Sequence, residues 1–358
     1  MAEPAASKPP RAALLRGLAA AAALLLLSVL PAPYVLYEPG VVVPVGELAV
    51  VKKITRTDSP LAESGVSARQ SDPDEPESNG GLLMATVHLD PRVRLWRVIE
   101  SAWREDREVH SKRAVFQGIG EEEYKARMDV LMADSRGKAA EAAFRLAGVR
   151  YEAAPDGVYA ARGGGRLETG DRILAVDGDA VDGLDELAKA LRARAGREAG
   201  LTVLRGGSEI SVRLAADETG AGAVPDRLDG AELIEIRAVR PADSGLSVTI
   251  DAGGFGGPSA GLPLALHLYE RLSGEPLTGG LLIAATGTIE PSGEIGAVGG
   301  VRMKAIAAAR AGADLFLVPK ANAAEAAEAA EAAGGGMVVA GVGTLEEAVS
   351  LLRAGSAR

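Results

Sequence analysis

The sequence predicts an α+β multidomain chain: an N-terminal transmembrane helix, a small β-rich domain and a C-terminal α/β domain. Three observations carry that expectation. An apolar stretch, GLAAAAALLLLSVLPAPYVLY at 17–37, follows a basic tail. Glycine-marked turns separate short β-branched runs between 148 and 214. From 231 onward, strand-like apolar runs alternate with helical periods, as α/β order requires. With 358 residues there is room for more than one core.

In chain order, residues 1–16 carry Lys8, Arg11 and Arg16 against Glu3, and the next charge after Arg16 is Glu38. The uncharged interval is about long enough to cross a bilayer as a helix. The positive-inside bias keeps the basic tail cytoplasmic and makes the chain a single-pass protein of the cell membrane, with the part after about residue 38 extracytoplasmic. A cleaved signal peptide is the competing reading, which Pro31 and Pro33 make less natural. Residues 38–125 read as an α/β segment: strands at 41–54 and 81–89, helices at 91–110 and from 121, and a flexible acidic loop at 58–80. The β-rich unit, 126–215, contains GGGRLETGDRILAVDGDAV, with a tight turn at Asp177-Gly178 between strands, then a helix and two more strands. A glycine- and acid-rich linker, 216–228, precedes the α/β unit, 229–354. There the strands fall at 232–239, 247–251, 281–288, 315–319 and 337–342, with helices at 259–272, 301–311, 322–333 and 344–352 between or after them.

The formal net charge of −10, with no compensating basic cluster, argues against a nucleic-acid partner. Cysteine is absent, so thiolate nucleophiles, disulfides and cysteine-zinc sites are excluded. No cofactor or metal is expected. Histidine occurs only at 88, 110 and 267, which restricts imidazole chemistry.

The chemistry centres on DAGGFGGPSAGL, 251–262. Ser259 stands where a glycine-rich turn enters a helix, so the free amides at Gly257 and Ser259 can form an oxyanion hole beside its hydroxyl. A phosphate cradle fails on detail, because neither G-x-x-x-x-G-K-[ST] nor G-x-G-x-x-G is present there. Gly257-Pro258-Ser259-Ala260-Gly261 does satisfy G-x-S-x-G, whose mechanism needs a histidine after the serine. The only one, His267, is eight residues on along the same helix, about 12 Å away in axial rise, and cannot serve. A desolvated lysine can replace the imidazole. Lys304, behind Gly299-Gly300 on a small apolar helix face, is the candidate.

Three phrases, GGPSAGL, ATGTIEPSGEIGAVGGVRMK and AGADLFLVPKAN, occur in order over roughly 228–354 and together resemble the proteolytic domain of Lon-type serine proteases. The resemblance implies that Ser259 is the nucleophile, Lys304 its base, and Thr286 the residue that orients the lysine. This chain departs from the family in having Thr288 where an acidic residue is common and Gly256 where many members carry Asp. The GDRILAVDG phrase resembles PDZ domains of bacterial proteases, which implies a groove that takes an extended peptide as an added strand, along Gly157, Val158 and Tyr159. Anchor, PDZ-like unit and Lon-like domain in this order resemble the bacterial membrane-anchored Lon-like proteases. Their ATPase-free organisation implies an ATP-independent endopeptidase working through an acyl-enzyme, acting on protein or peptide substrates, bound to the membrane and self-associated as a homo-oligomer. A membrane-bound peptide-binding adaptor without catalysis, and an esterase or amidase of small acyl substrates, are the alternatives.

Overall fold

A computed structural model describes residues 11–53, 80–216, 226–243, 245–251, 253–334 and 336–356. The acidic loop at 58–79, most of the linker and most of the basic tail lie outside them.

The C-terminal α/β unit is built on a six-stranded mixed sheet, in the order Val338–Val342, Leu315–Pro319, Leu282–Ala285, Gly81–Asp90, Tyr34–Pro44 and Glu108–Ser111. The first four run parallel, and the last three pair antiparallel. Half of this sheet therefore comes from the N-terminal segment, which the sequence sets apart as a separate unit. Leu82, Leu83, Met84 and Ala85 are all buried, as a strand covered on both faces requires.

Two N-terminal expectations are corrected. The spanning helix at 17–37 is not formed: the helix is Arg11–Val29, and the chain is extended from Pro31, which cannot continue a helix. Val35 and Leu36, expected in lipid, are fully buried in the sheet. The uncharged helical part, 17–29, rises only about 20 Å at 1.5 Å per residue, short of a hydrocarbon core of about 30 Å. Among the described residues no helix is long and apolar enough to cross a membrane. The expected helix at 91–110 is instead a short helix, Leu95–Ser101, and the edge strand Glu108–Ser111, whose alternation pairs it with Tyr34–Tyr37.

The second sheet runs Arg227–Leu228, Ala231–Pro241, Tyr151–Arg162, Arg172–Val176, Ala199–Arg205 and Ser208–Leu214, with Asp179–Ala180 beside the fourth. Helix Leu184–Arg192 covers it and buries Leu187 and Leu191. The aspartate of the GDRI phrase is structural: Arg205 forks onto the buried Asp171 carboxylate at 2.8 and 2.6 Å. Residues 231–241, grouped by sequence with the C-terminal α/β unit, belong by pairing to this sheet.

Between the two sheets lies one long helix, Glu121–Leu146. Met132, Ala139 and Ala143 pack with Leu262, Leu266 and Leu268 of helix Gly261–Ser273 in the main core. Val130, on another face, packs with Ala161 and Ile236 of the second sheet. Gly137 lets strand Ala231–Pro241 come close, since a Cβ there would lie 2.7 Å from the Arg237 carbonyl oxygen.

His267 is a core residue. Its Nε2 lies 3.1 Å from the Ala49 carbonyl oxygen and donates to it, and burial lowers its pKa to about 4. The unfolded chain takes up that proton below about 6.5 while the folded chain refuses it until about 4, so this histidine removes stability as pH falls through that window. The loss amounts to on the order of 3 kcal/mol. His267→Gln should make the drop in urea midpoint between pH 7 and pH 4.5 smaller than in the parent; equal drops would contradict it.

Candidate active site

Gly257 has φ +92°, a conformation open to glycine, and the Pro258–Ala260 turn follows with proline at its first position. This turn delivers Ser259 to the start of helix Gly261–Ser273. Strand Leu282–Ala285 ends at Thr286, where the chain turns back on the serine: the Gly287 N–H donates to the Ser259 carbonyl at 2.9 Å, and the Thr286 hydroxyl lies 3.3 Å from the same oxygen. Gly300 starts helix Val301–Arg310 in a left-handed conformation, wedged between Tyr37 and Val87. One turn into that helix, Lys304 points back into the interior.

These three side chains meet. Lys304 Nζ is 2.8 Å from Ser259 Oγ and 3.0 Å from Thr286 Oγ1. Lys304 is 3% exposed and Thr286 is fully buried. Among the described residues no carboxylate pairs with the lysine, and burial pulls its pKa down to about 8. At pH 7 about a tenth of the amine is then neutral, against well under a thousandth for an exposed lysine. No histidine ring bonds to Ser259: His267 is committed to Ala49, His110 packs at a tilt against Tyr37 and lies 3.3 Å from Glu108, and His88 is exposed at the rim of the neighbouring cavity. Among the described residues no group of side chains could hold a metal ion.

Ser259 opens onto a cavity of about 520 Å³ walled by Val41, Met84, Val87, Met132 and Phe255. Most of these walls come from the two N-terminal strands and the long helix, which local motifs in the sequence do not connect with the serine. A larger cavity, about 710 Å³, lies on another face of the long helix and touches neither Ser259 nor Lys304.

Two binding expectations change. Of the two amides expected in the oxyanion hole, Gly257 N–H is already engaged, donating to the Met128 carbonyl at 2.8 Å. The Ser259 amide donates to no partner among the described residues. The groove along Gly157, Val158 and Tyr159 is closed: these residues pair on one side with Ile236, Glu235 and Ile234, and Val158 and Tyr159 pair on the other with Ile173 and Arg172. Strand Ala231–Pro241 occupies the edge where a peptide strand would add, and the Glu235 carboxylate accepts the Leu184 N–H at the start of helix Leu184–Arg192.

Residues 245–353 match the family model of the Lon protease (S16) C-terminal proteolytic domain, and residues 148–215 match the PDZ domain model. The chain is 38% identical over 98 residues to the Lon protease of Frankia alni, covering 27% of this chain and 11% of that one. It is 44% identical over 69 residues to Lon protease 1 of Thermus thermophilus (19% and 8%) and 47% identical over 64 residues to the Lon protease of Clostridioides difficile (18% and 8%). The chain thus spans about a tenth of the length of the curated relatives it matches. Fold, site and matches define a serine-type peptidase domain joined to a PDZ domain. Residues 245–353 are thus similar to the proteolytic domain of Lon proteases.

Proposed function

We propose that this chain is an ATP-independent endopeptidase that cleaves protein substrates through a Ser259–Lys304 dyad. The observation that carries the reading is the 2.8 Å contact between Ser259 Oγ and an amine buried without a counter-ion among the described residues. Neutral Lys304 accepts the Oγ proton as Oγ attacks the scissile carbonyl carbon, and the Ser259 amide faces the developing oxyanion. When the C–N bond breaks, the ammonium returns that proton to the leaving amine. Water then attacks the ester, Lys304 takes one of its protons, and collapse releases the acid while the proton returns to Oγ. These steps consume only water. Self-association through the proteolytic domain, implied by the family resemblance, is part of this reading.

The test is hydrolysis of a fluorescent casein by the purified chain without nucleotide. Release of peptides, rising about tenfold per pH unit below about 8 and levelling above it, is the expected outcome, since only the neutral amine is a base. A nucleotide requirement, or a rate flat from pH 6 to 9, contradicts it. Thr286→Val removes a hydroxyl that holds the amine on Ser259, and a lost buried hydrogen bond of about 1–3 kcal/mol should lower kcat roughly tenfold to a hundredfold with KM little changed. A change confined to KM would place Thr286 in substrate binding instead.

A further inference from the structure

We propose that Ser135 is a positioning residue for Ser259, and that the long helix bearing it links the PDZ sheet mechanically to the dyad. The proposal rests on the dyad reading above. Ser135 lies outside the matched proteolytic domain, is 2% exposed, and its hydroxyl donates to the Pro258 carbonyl at 3.0 Å. Two turns earlier, the Met128 carbonyl accepts the Gly257 N–H at 2.8 Å. Gly257 and Pro258 are the two residues before Ser259, so one face of the helix fixes the backbone that aims Oγ at Lys304.

The glycines around the serine fit that seat. A Cβ at Gly256 would lie 2.9 Å from Met128 Cβ, and one at Gly261 would lie 2.8 Å from the Ile289 nitrogen and 3.1 Å from Ser135 Oγ. Gly256, where many Lon-type domains carry Asp, is therefore glycine here because the helix fills the space.

Other faces of the same helix are tied to the PDZ sheet. Thr169 Oγ1 donates to Glu123 at 2.8 Å, Arg127 pairs with Glu232 at 3.3 Å, and Val130 packs on Ile236. A helix is stiff over this length, so a shift of the sheet reaches the serine turn, where a misplacement of about 1 Å can cost roughly a hundredfold in rate.

The test follows covalent labelling of Ser259 in the full chain by an alkyl fluorophosphonate, reading both rate and final stoichiometry by intact mass. Ser135→Ala should reach the parent's stoichiometry about tenfold more slowly, because the turn is loosened while the fold survives. Thr169→Val, at the far end of the helix, should slow labelling by a smaller factor and add nothing to Ser135→Ala in the double variant. Labelling of Ser135→Ala at the parent's rate overturns the positioning role, as does a loss of labelled sites without a loss of rate. Effects that multiply in the double variant overturn the mechanical link. A parent chain that does not label at Ser259 sinks the dyad reading instead.

Discussion

Ser259→Ala should lower casein hydrolysis by on the order of 10⁴-fold or more, the scale seen when a catalytic nucleophile is deleted. Thr286, the other hydroxyl on Lys304, is fully buried behind the amine and away from the cavity that would hold a peptide. The variant should fold like the parent, because a half-buried hydroxyl is exchanged for a methyl-sized side chain. The measurement is initial rate on fluorescent casein, with far-ultraviolet circular dichroism and urea midpoints showing an unchanged fold. Residual activity within tenfold of the parent would remove Ser259 from the mechanism and leave the 2.8 Å contact a packing feature.

Lys304→Met should have two large effects of opposite kind. Activity should fall about as far as in Ser259→Ala, since the proton acceptor is gone. Stability at pH 7 should rise. Folding holds this amine at a pKa of about 8 against 10.5 for a free lysine. Below about 8 both folded and unfolded chains carry the proton, and the folded chain bears the full cost of a buried charge. Between about 8 and 10.5 the folded chain sheds the proton while the unfolded chain keeps it, so the parent gains stability as pH rises through that window. The gap corresponds to on the order of 3 kcal/mol, reduced by about 1 kcal/mol for the hydroxyls of Ser259 and Thr286 that lose a partner. Urea melts of both chains at pH 7 and pH 9.5 check this: the variant should be the more stable at pH 7, and the difference should shrink at pH 9.5. A variant less stable at both pH values would mean that the amine's hydrogen bonds outweigh its desolvation.

Local chemistry was readable where a few neighbouring residues suffice. GGPSAGL marks a turn entering a helix because glycine supplies the positive φ and proline the first helical position. Gly299-Gly300 marks the helix that carries Lys304. That the Ser259 and Thr286 hydroxyls lie within 3.0 Å of the Lys304 amine is a fact of the folded chain, although the residue types and phrases had already singled out all three. Ser135 gave no signal, since one serine in a helical period looks like any other until its hydroxyl is seen on the Pro258 carbonyl. The Gly157–Tyr159 groove failed for a related reason: nothing local to those residues shows that 231–241 will pair along the whole strand.

Alone, the amino-acid order determined the residue types of the site, the glycine turns and most of the helices, because those depend on backbone sterics and short-range periodicity. Tertiary structure decided which sheet each strand joined, that Val35 and Leu36 enter a protein core, and that the Gly257 amide is taken up by the Met128 carbonyl. Those outcomes depend on pairing between segments up to about two hundred residues apart, where burial of one strand against another selects among partners that look equivalent in sequence.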